Sequence, residues 1–457
     1  MLDLIIKNGT VINADGEKKC DVAIKDGKIV ALGMSDYFPE AKQSIDATGQ
    51  YVMPGFIDSH VHVNLKMGNN QSLDSFKEAS IAAAHGGVTT MIDFAVPYGD
   101  ETPLQGIERR MKEAQDDSFI DYSFHACYTQ KHEKDLGEIE DIISGGVPTV
   151  KMFTTYKDVV QIEKNTILDI LKQLQLHNGM ALFHAENNEI IEAETNRLVR
   201  QGKTGPEFHP ISRPPISEVE AIYSLASLIQ LTNAPSLFVH VTTKEAIEVF
   251  RKKITGVPIY TETCPHYLAL TDESYSHRNG ENYICSPPIR SEAAREELWG
   301  MMDEGLIDIV NSDHSAFNLE QKQAHRNNFP NVPNGLPGIE TTGLILFSEG
   351  VINRGLQLRK FVDVMSTKTA KLMGLYPHKG YIGVGSDADI VIFDPKPSYR
   401  LTTNHLHMQT DYTPFDGMNV TGKVSMTIKS GNILVENDTF NEQARMGRFL
   451  KRRLSLS

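Results

Sequence analysis

Cysteine is scarce in this 457-residue chain, and its four thiols, Cys20, Cys127, Cys264 and Cys285, are scattered with no C-x-x-C pair. That excludes a small disulfide-built secreted scaffold, and reduced thiols in a cytoplasmic protein are expected. Positive charge is also in deficit, 45 Lys and Arg against 59 Asp and Glu, for a net charge of −14. Nucleic acids and anionic membranes are met by clustered cations, so neither is an expected partner. No apolar stretch approaches membrane-spanning length. The opening MLDLIIKNGTVINADGEKK carries Asp3 ahead of a short apolar run, where a signal peptide needs basic residues. Solenoid-type repeats and low-complexity tracts are missing too.

What is present is ordinary globular material, 40% hydrophobic and 23% charged. It suffices for a barrel core of about 250 residues or more plus an accessory domain. Residues 1–53 alternate apolar and polar positions in short runs broken by turn residues, as in LIIKNGTVI and DVAIKDGKIVAL. The same texture returns over 379–440, in DADIVIFDP and VSMTIKSGNILVEN. One β-sandwich built from both termini is expected. Between them, over 54–378, eight brief apolar strands alternate with amphipathic segments such as Ser72 to His85, Lys164 to His177, Glu218 to Leu231 and Glu292 to Glu304. That alternation predicts an α/β fold, a parallel (β/α)8 barrel rather than an open sheet.

Polar residues interrupt these strands at comparable places. The first ends in Asp58-Ser59-His60-Val61-His62, whose alternation puts 58, 60 and 62 on one face, so two imidazoles converge. Lys151 in TVKMF, His184 in LFHAE, His240 in FVHVT and Asp313 in IVNSDHS break other apolar strands. Each is a poor core residue, since a buried charge is costly unless paired or metal-bound. Six such residues on five strands can meet at the C-terminal mouth of a barrel, where barrel active sites lie, and together they predict a metal centre.

The series PGFIDSHVH, TVKMFTTYKD, HAEN, SRPP, VHVT, ETCPHY, SPPIR, SDH and PNGLPGIE runs in an order that resembles the cyclic amidohydrolases, most of all the dihydropyrimidinase/hydantoinase branch. The resemblance covers nearly the whole chain. It implies a binuclear zinc site in which His60 and His62 bind one ion with Asp313, His184 and His240 bind the other, and a carboxylated Lys151 and a hydroxide bridge the two. The chemistry is coherent, because an ammonium repels a dication whereas a desolvated amine can capture CO2 and become an anionic ligand with two oxygens. Asp58 is expected either to orient a ligand imidazole or to bond backbone. The implied reaction is hydrolysis of a ring amide in a small cyclic imide, with Asp313 moving the proton and the hydroxyl of Tyr156 stabilising the tetrahedral oxyanion. Backbone groups at Ser286 and Asn334 are implied to pair with the ring edge, whose alternating donors and acceptors suit main-chain partners.

Dihydroorotases place Arg shortly after H-x-H, where this chain has Val63-Asn64, and allantoinases carry an E-P-G segment where it reads NLKMGNN. Non-catalytic relatives such as the collapsin response mediators have lost metal ligands, whereas all six positions are filled here. The chain departs from the usual branch pattern at LKMGNN, SDHS and GIETTG. The first of these loops helps enclose the ring substituent and so bears on substrate preference. Finally, residues 441–457 form a basic tail, with five Lys and Arg and no acid from Ala444 onward. Similar G-R-F-L-K-R tails imply contact with a neighbouring subunit in a homotetramer, with Phe449 and Leu450 anchored in the partner's apolar groove.

Overall fold

The computed structural model describes residues 1–67 and 70–455. Gly68 and Asn69 of the LKMGNN loop and the last two residues of the tail lie outside them.

The chain's two ends build two packed sheets. Strands Lys28–Gly33, Asp21–Lys25, Leu2–Lys7 and Ala41–Asp46 lie side by side in that order. The second sheet draws on both termini, because Tyr51–Pro54 pairs antiparallel with the start of Ile390–Arg400, aligning Val52 with Ile392. Leu4, Ile6, Val22 and Ile24 of one sheet meet Val11, Val52, Ile392 and Ile428 of the other in a shared apolar core. This inward face of alternating strands is the sandwich expected from both ends.

Between these ends lie eight parallel strands, Phe56–Val61, Val88–Ala95, Asp121–Cys127, Thr149–Phe153, Met180–His184, Ser236–Phe238, Ile259–Thr263 and Ile309–Val310, each beside the next. A parallel bridge between Val61 and His314 joins the last to the first, with His62 N–H donating to the His314 carbonyl at 2.7 Å. Every residue of Val88–Ala95 is buried, as a strand covered on both faces requires. The intervening helices start where their caps dictate. Ser75 and Glu78 form a capping box ahead of Phe76–His85, and Thr102 and Gln105 form another ahead of Pro103–Ala114. No helix among the described residues is long and apolar enough to cross a membrane.

The tail docks on its own chain. Phe449 stacks on Phe124 of this same chain with ring centres 6.0 Å apart, and Leu450 N–H donates to the Tyr122 carbonyl at 2.7 Å. Leu450 packs among Ile57, Met180, Leu182 and Leu237 at the barrel's floor, beneath the mouth. Arg452 is buried with it, donating to Ser123 Oγ and Thr149 Oγ1, each at 2.8 Å, and to the Phe124 carbonyl. The apolar groove awaited on a partner's surface is therefore supplied in cis. So is the opposite charge, with Arg448 3.3 Å from Asp387.

Candidate metal centre

The polar residues singled out in the strands do meet at the C-terminal mouth. His60 Nε2 and His62 Nε2 lie 3.0 and 3.2 Å from the same Asp313 oxygen. The rings continue across the mouth, with centres 5.3 Å apart from His62 to His60, 5.4 Å from His60 to His240 and 4.5 Å from His240 to His184. Lys151 lies among them, 1% exposed. Its ammonium is 5.0 Å from the ring centres of Phe94 and Phe153 and makes no hydrogen bond or ion pair among the described residues. Burial pushes it down to about 8, against the pull of Asp313 and Glu262. Burial, joined by the charge of Lys151, disfavours a proton on His62, His184 and His240, whereas at His60 Glu262 and Asp313 outweigh burial and Lys151 and raise it to about 9.

The donor set fits metal ions. One ligand atom from each of His60, His62 and Asp313 lies within 4.8 Å of the others. Among the described residues, buried His62 Nδ1 and His240 Nδ1 have no hydrogen-bond partner and His60 Nε2 has only the Asp313 oxygen beside it, an expense that a protein interior seldom bears without a ligand to recover it. Asp313 stays well below the usual carboxylate range, because His60 and His62 outweigh the effect of burial.

The backbone is forced here. Tyr156, His240 and Asp313 have φ of +66°, +41° and +50°, the left-handed region that side chains other than Gly, Asn and Asp rarely adopt. Such outliers persist where surrounding structure over-determines them.

Tyr156, on the loop after Lys151's strand, brings its ring to 5.4 Å from that of His184, with the Arg213 guanidinium 5.2 Å from its centre. Ser286 and Asn334 meet across the mouth, Ser286 Oγ donating to Asn334 Oδ1 at 2.8 Å. Their own main-chain N–H and C=O groups make no hydrogen bond among the described residues.

Asp58 takes the backbone option. Its carboxylate accepts from the N–H groups of His60 and Ser312 at 3.1 and 3.3 Å. The carboxylate on the His60 ring is instead Glu262, with Oε1 2.6 Å from Nδ1 and Oε2 accepting from Asn311 at 2.7 Å. Glu186 plays the matching part for His184, 2.7 Å from Nε2 and ion-paired to Arg213. Neither carboxylate was singled out from the sequence. Both carry the signal that singled out the candidate ligands, since Glu262 interrupts a barrel strand and Glu186 sits two residues past one.

A second group, His85, His407 and Asp438, lies at the seam of barrel and sandwich. The two rings stack at 3.3 Å and 7°, so their in-plane lone pairs run parallel instead of converging, and His407 Nδ1 is engaged 2.7 Å from Glu340. That is a packing arrangement.

Comparison with known proteins adds family context. The profile described as "Amidohydrolase family" matches residues 51–434, and that of the urease alpha-subunit N-terminal domain matches 1–51. The chain is 36% identical to a D-hydantoinase of Ralstonia pickettii, covering 99% of each chain. With a D-hydantoinase of Geobacillus stearothermophilus it shares 37% identity over 98% of this chain and 96% of the relative. The solved dihydropyrimidinase of Brevibacillus agri superposes with a TM-score of 0.95 at 37% identity, covering 99% of both.

Proposed function

The chain belongs to the amidohydrolase family, in its hydantoinase and dihydropyrimidinase branch, and from that premise we propose that it hydrolyses the ring amide of cyclic imides and ureides. The products are N-carbamoyl-β-amino acids from 5,6-dihydropyrimidines, or N-carbamoyl amino acids from hydantoins. The observation that carries this reading is Lys151, buried amid four imidazoles and an aspartate with no ion pair among the described residues. As an ammonium it has no structural use there. As an amine near neutrality it can take up CO2 and supply two ligand oxygens.

Two zinc ions are the fitting occupants. His60, His62 and Asp313 would hold one, His184 and His240 the other, with carboxylated Lys151 joining them. When bound, the ions supply Lewis acidity and bring a coordinated water's pKa to about 7. The chain's own groups do the rest. Main-chain donors and acceptors at Ser286 and Asn334 pair with the ring edge and fix which carbonyl faces the mouth. The Tyr156 hydroxyl donates to that carbonyl's oxygen as negative charge develops. Asp313 takes the proton from the attacking water and returns it to the leaving ring nitrogen. Phe94, its ring 4.7 Å from both His60 and His62, walls the metal side against bulk water. Glu262 and Glu186 fix the tautomers of His60 and His184.

A homotetramer in the cytoplasm belongs to the same reading. The free thiols support that compartment, and Ile216 and Leu231, exposed on helix Pro215–Thr232, offer apolar surface for assembly.

The test is zinc analysis of the purified protein alongside turnover of dihydrouracil, dihydrothymine, substituted hydantoins, dihydroorotate and allantoin. Two zinc ions per chain and turnover of a dihydropyrimidine or hydantoin are expected. Turnover confined to dihydroorotate or allantoin would replace the substrate class, and a zinc-loaded protein inert to all would overturn the enzyme.

A further inference from the structure

Around Ser286 and Asn334 the neighbouring main chain is held while their own main-chain groups are left open. On the Ser286 side, the Cys285 carbonyl lies 2.8 Å from His209 Nε2, and the Pro287 carbonyl accepts from the Tyr267 hydroxyl at 2.7 Å. The Ile284 carbonyl accepts from Lys322 Nζ at 2.7 Å and from Gly335 N–H at 3.1 Å. On the Asn334 side, the Pro333 carbonyl accepts from the same Lys322 Nζ at 2.8 Å. Lys322 is thus the one side chain among the described residues that donates to both segments.

Its placement is costly. Lys322 is 0% exposed, and among the described residues no carboxylate contacts it. Glu281, the acid whose charge reaches it, is bonded to Arg326 at 2.8 Å. Burial pushes Lys322 down to about 7, and as ammonium or amine it retains the two N–H donors that the two carbonyls need. Apolar packing would fill this volume at lower cost. What a long, multiply donating side chain adds is a fixed distance between two loops.

We propose that Lys322 is a positioning residue for the substrate edge. By pinning Ile284 and Pro333 it sets the spacing between the open main-chain groups of Ser286 and Asn334, and so the register in which a cyclic imide docks. The inference rests on the proposed hydrolysis and on the backbone recognition within it. Lys322 touches none of the six metal donors, so its loss falls on ring binding and alignment, where misplacement by about 1 Å can cost about 10²-fold.

The experiment compares Lys322→Met, Lys322→Gln and Lys322→Arg with the wild type, all zinc-loaded, on the cyclic imide that the wild type turns over best. Lys322→Met should raise KM about tenfold or more, with zinc content and the pH profile of kcat unchanged. Lys322→Arg, which keeps donors, should recover much of that loss. Lys322→Gln, neutral with two N–H donors, carries the test should the Met variant fail to fold, and its KM should lie between those of wild type and Met. A merely structural lysine would lower the melting temperature and the active fraction while leaving KM of the surviving enzyme at the wild-type value, and that result overturns the proposal. If the wild type turns over no cyclic imide, the hydrolytic reading fails and takes this one with it. An unchanged KM in active variants defeats the positioning role alone.

Discussion

His60 Nδ1 lies 2.6 Å from Glu262 Oε1, a carboxylate 202 residues further along the chain and 1% exposed. The contact fixes which nitrogen of His60 faces Asp313, because a ring that donates through Nδ1 presents the lone pair of Nε2. Glu262→Gln should therefore leave the fold intact and weaken zinc binding by about 10- to 100-fold, read by competition with a chromophoric chelator. Wild-type zinc affinity in this variant would remove Glu262 from the centre.

Lys151→Ala should abolish turnover and lose metal. Short-chain carboxylates added to the assay should restore part of the activity by replacing the bridge. Full activity without rescue would sink the carbamate.

Tyr156→Phe and Asp313→Asn should fail differently. Loss of the phenol should lower kcat about 10²- to 10³-fold with zinc retained, the range for one oxyanion donor. Loss of the aspartate should be worse and should deplete metal, since in the proposed mechanism one group both holds the ion and moves the proton. Equal, mild effects would refute both roles.

The His85–His407 stack predicts an acid sensitivity separate from the metal centre. Burial and the charge of His407, joined by Lys423 and opposed by Asp438, push His85 down to about 4. His407 moves the other way, raised by its hydrogen bond to Glu340. The unfolded chain protonates His85 near 6.5, so between about pH 6.5 and 4 it binds the extra proton and folding stability falls with pH. His407 contributes stability that is full below about 6.5 and is lost as pH rises through its folded pKa. Thermal melts of His85→Phe should accordingly show a shallower loss from pH 6.5 to 4.5 than the wild type, and a parallel loss would count against the stack.

Truncation after Asn441 should destabilise the monomer whatever its assembly, because it uncovers the Tyr122–Phe124 groove and removes Leu450 and Arg452 from the floor. Burial of one Leu alone is worth about 1.5–3 kcal/mol, so a fall in melting temperature of several degrees is expected by calorimetry. An unchanged melt would mean the tail is not docked in solution.

The barrel and the polar residues gathered at its mouth were legible because the chemistry contradicts its setting. A lysine in TVKMF or a histidine in FVHVT stands out against an apolar strand, and period-two alternation says which neighbours share its face. Glu262 in IYTETCP carried the same contradiction, but a carboxylate that binds an imidazole instead of an ion has no spacing of its own. Lys322, His209 and Tyr267 were illegible for another reason. They act on carbonyls brought near by long loops, and a carbonyl has no letter in a sequence. An amphipathic basic tail states what it needs, an apolar groove and nearby acids, without stating whose. Tyr122, Phe124, Asp121 and Asp387 of this chain meet that need.

The left-handed backbone at Tyr156, His240 and Asp313 sets folding against chemistry. Each of these conformations costs on the order of 1 kcal/mol or more, least for Asp313, whose short polar side chain tolerates the region best. Glycine at 156 or 240 would relieve the strain and remove a phenol or an imidazole that the proposed mechanism uses. Cutting a large buried aromatic ring back to a methyl costs about 3–5 kcal/mol, more than the strain released, so the packing of these rings is what holds the strained backbone in place.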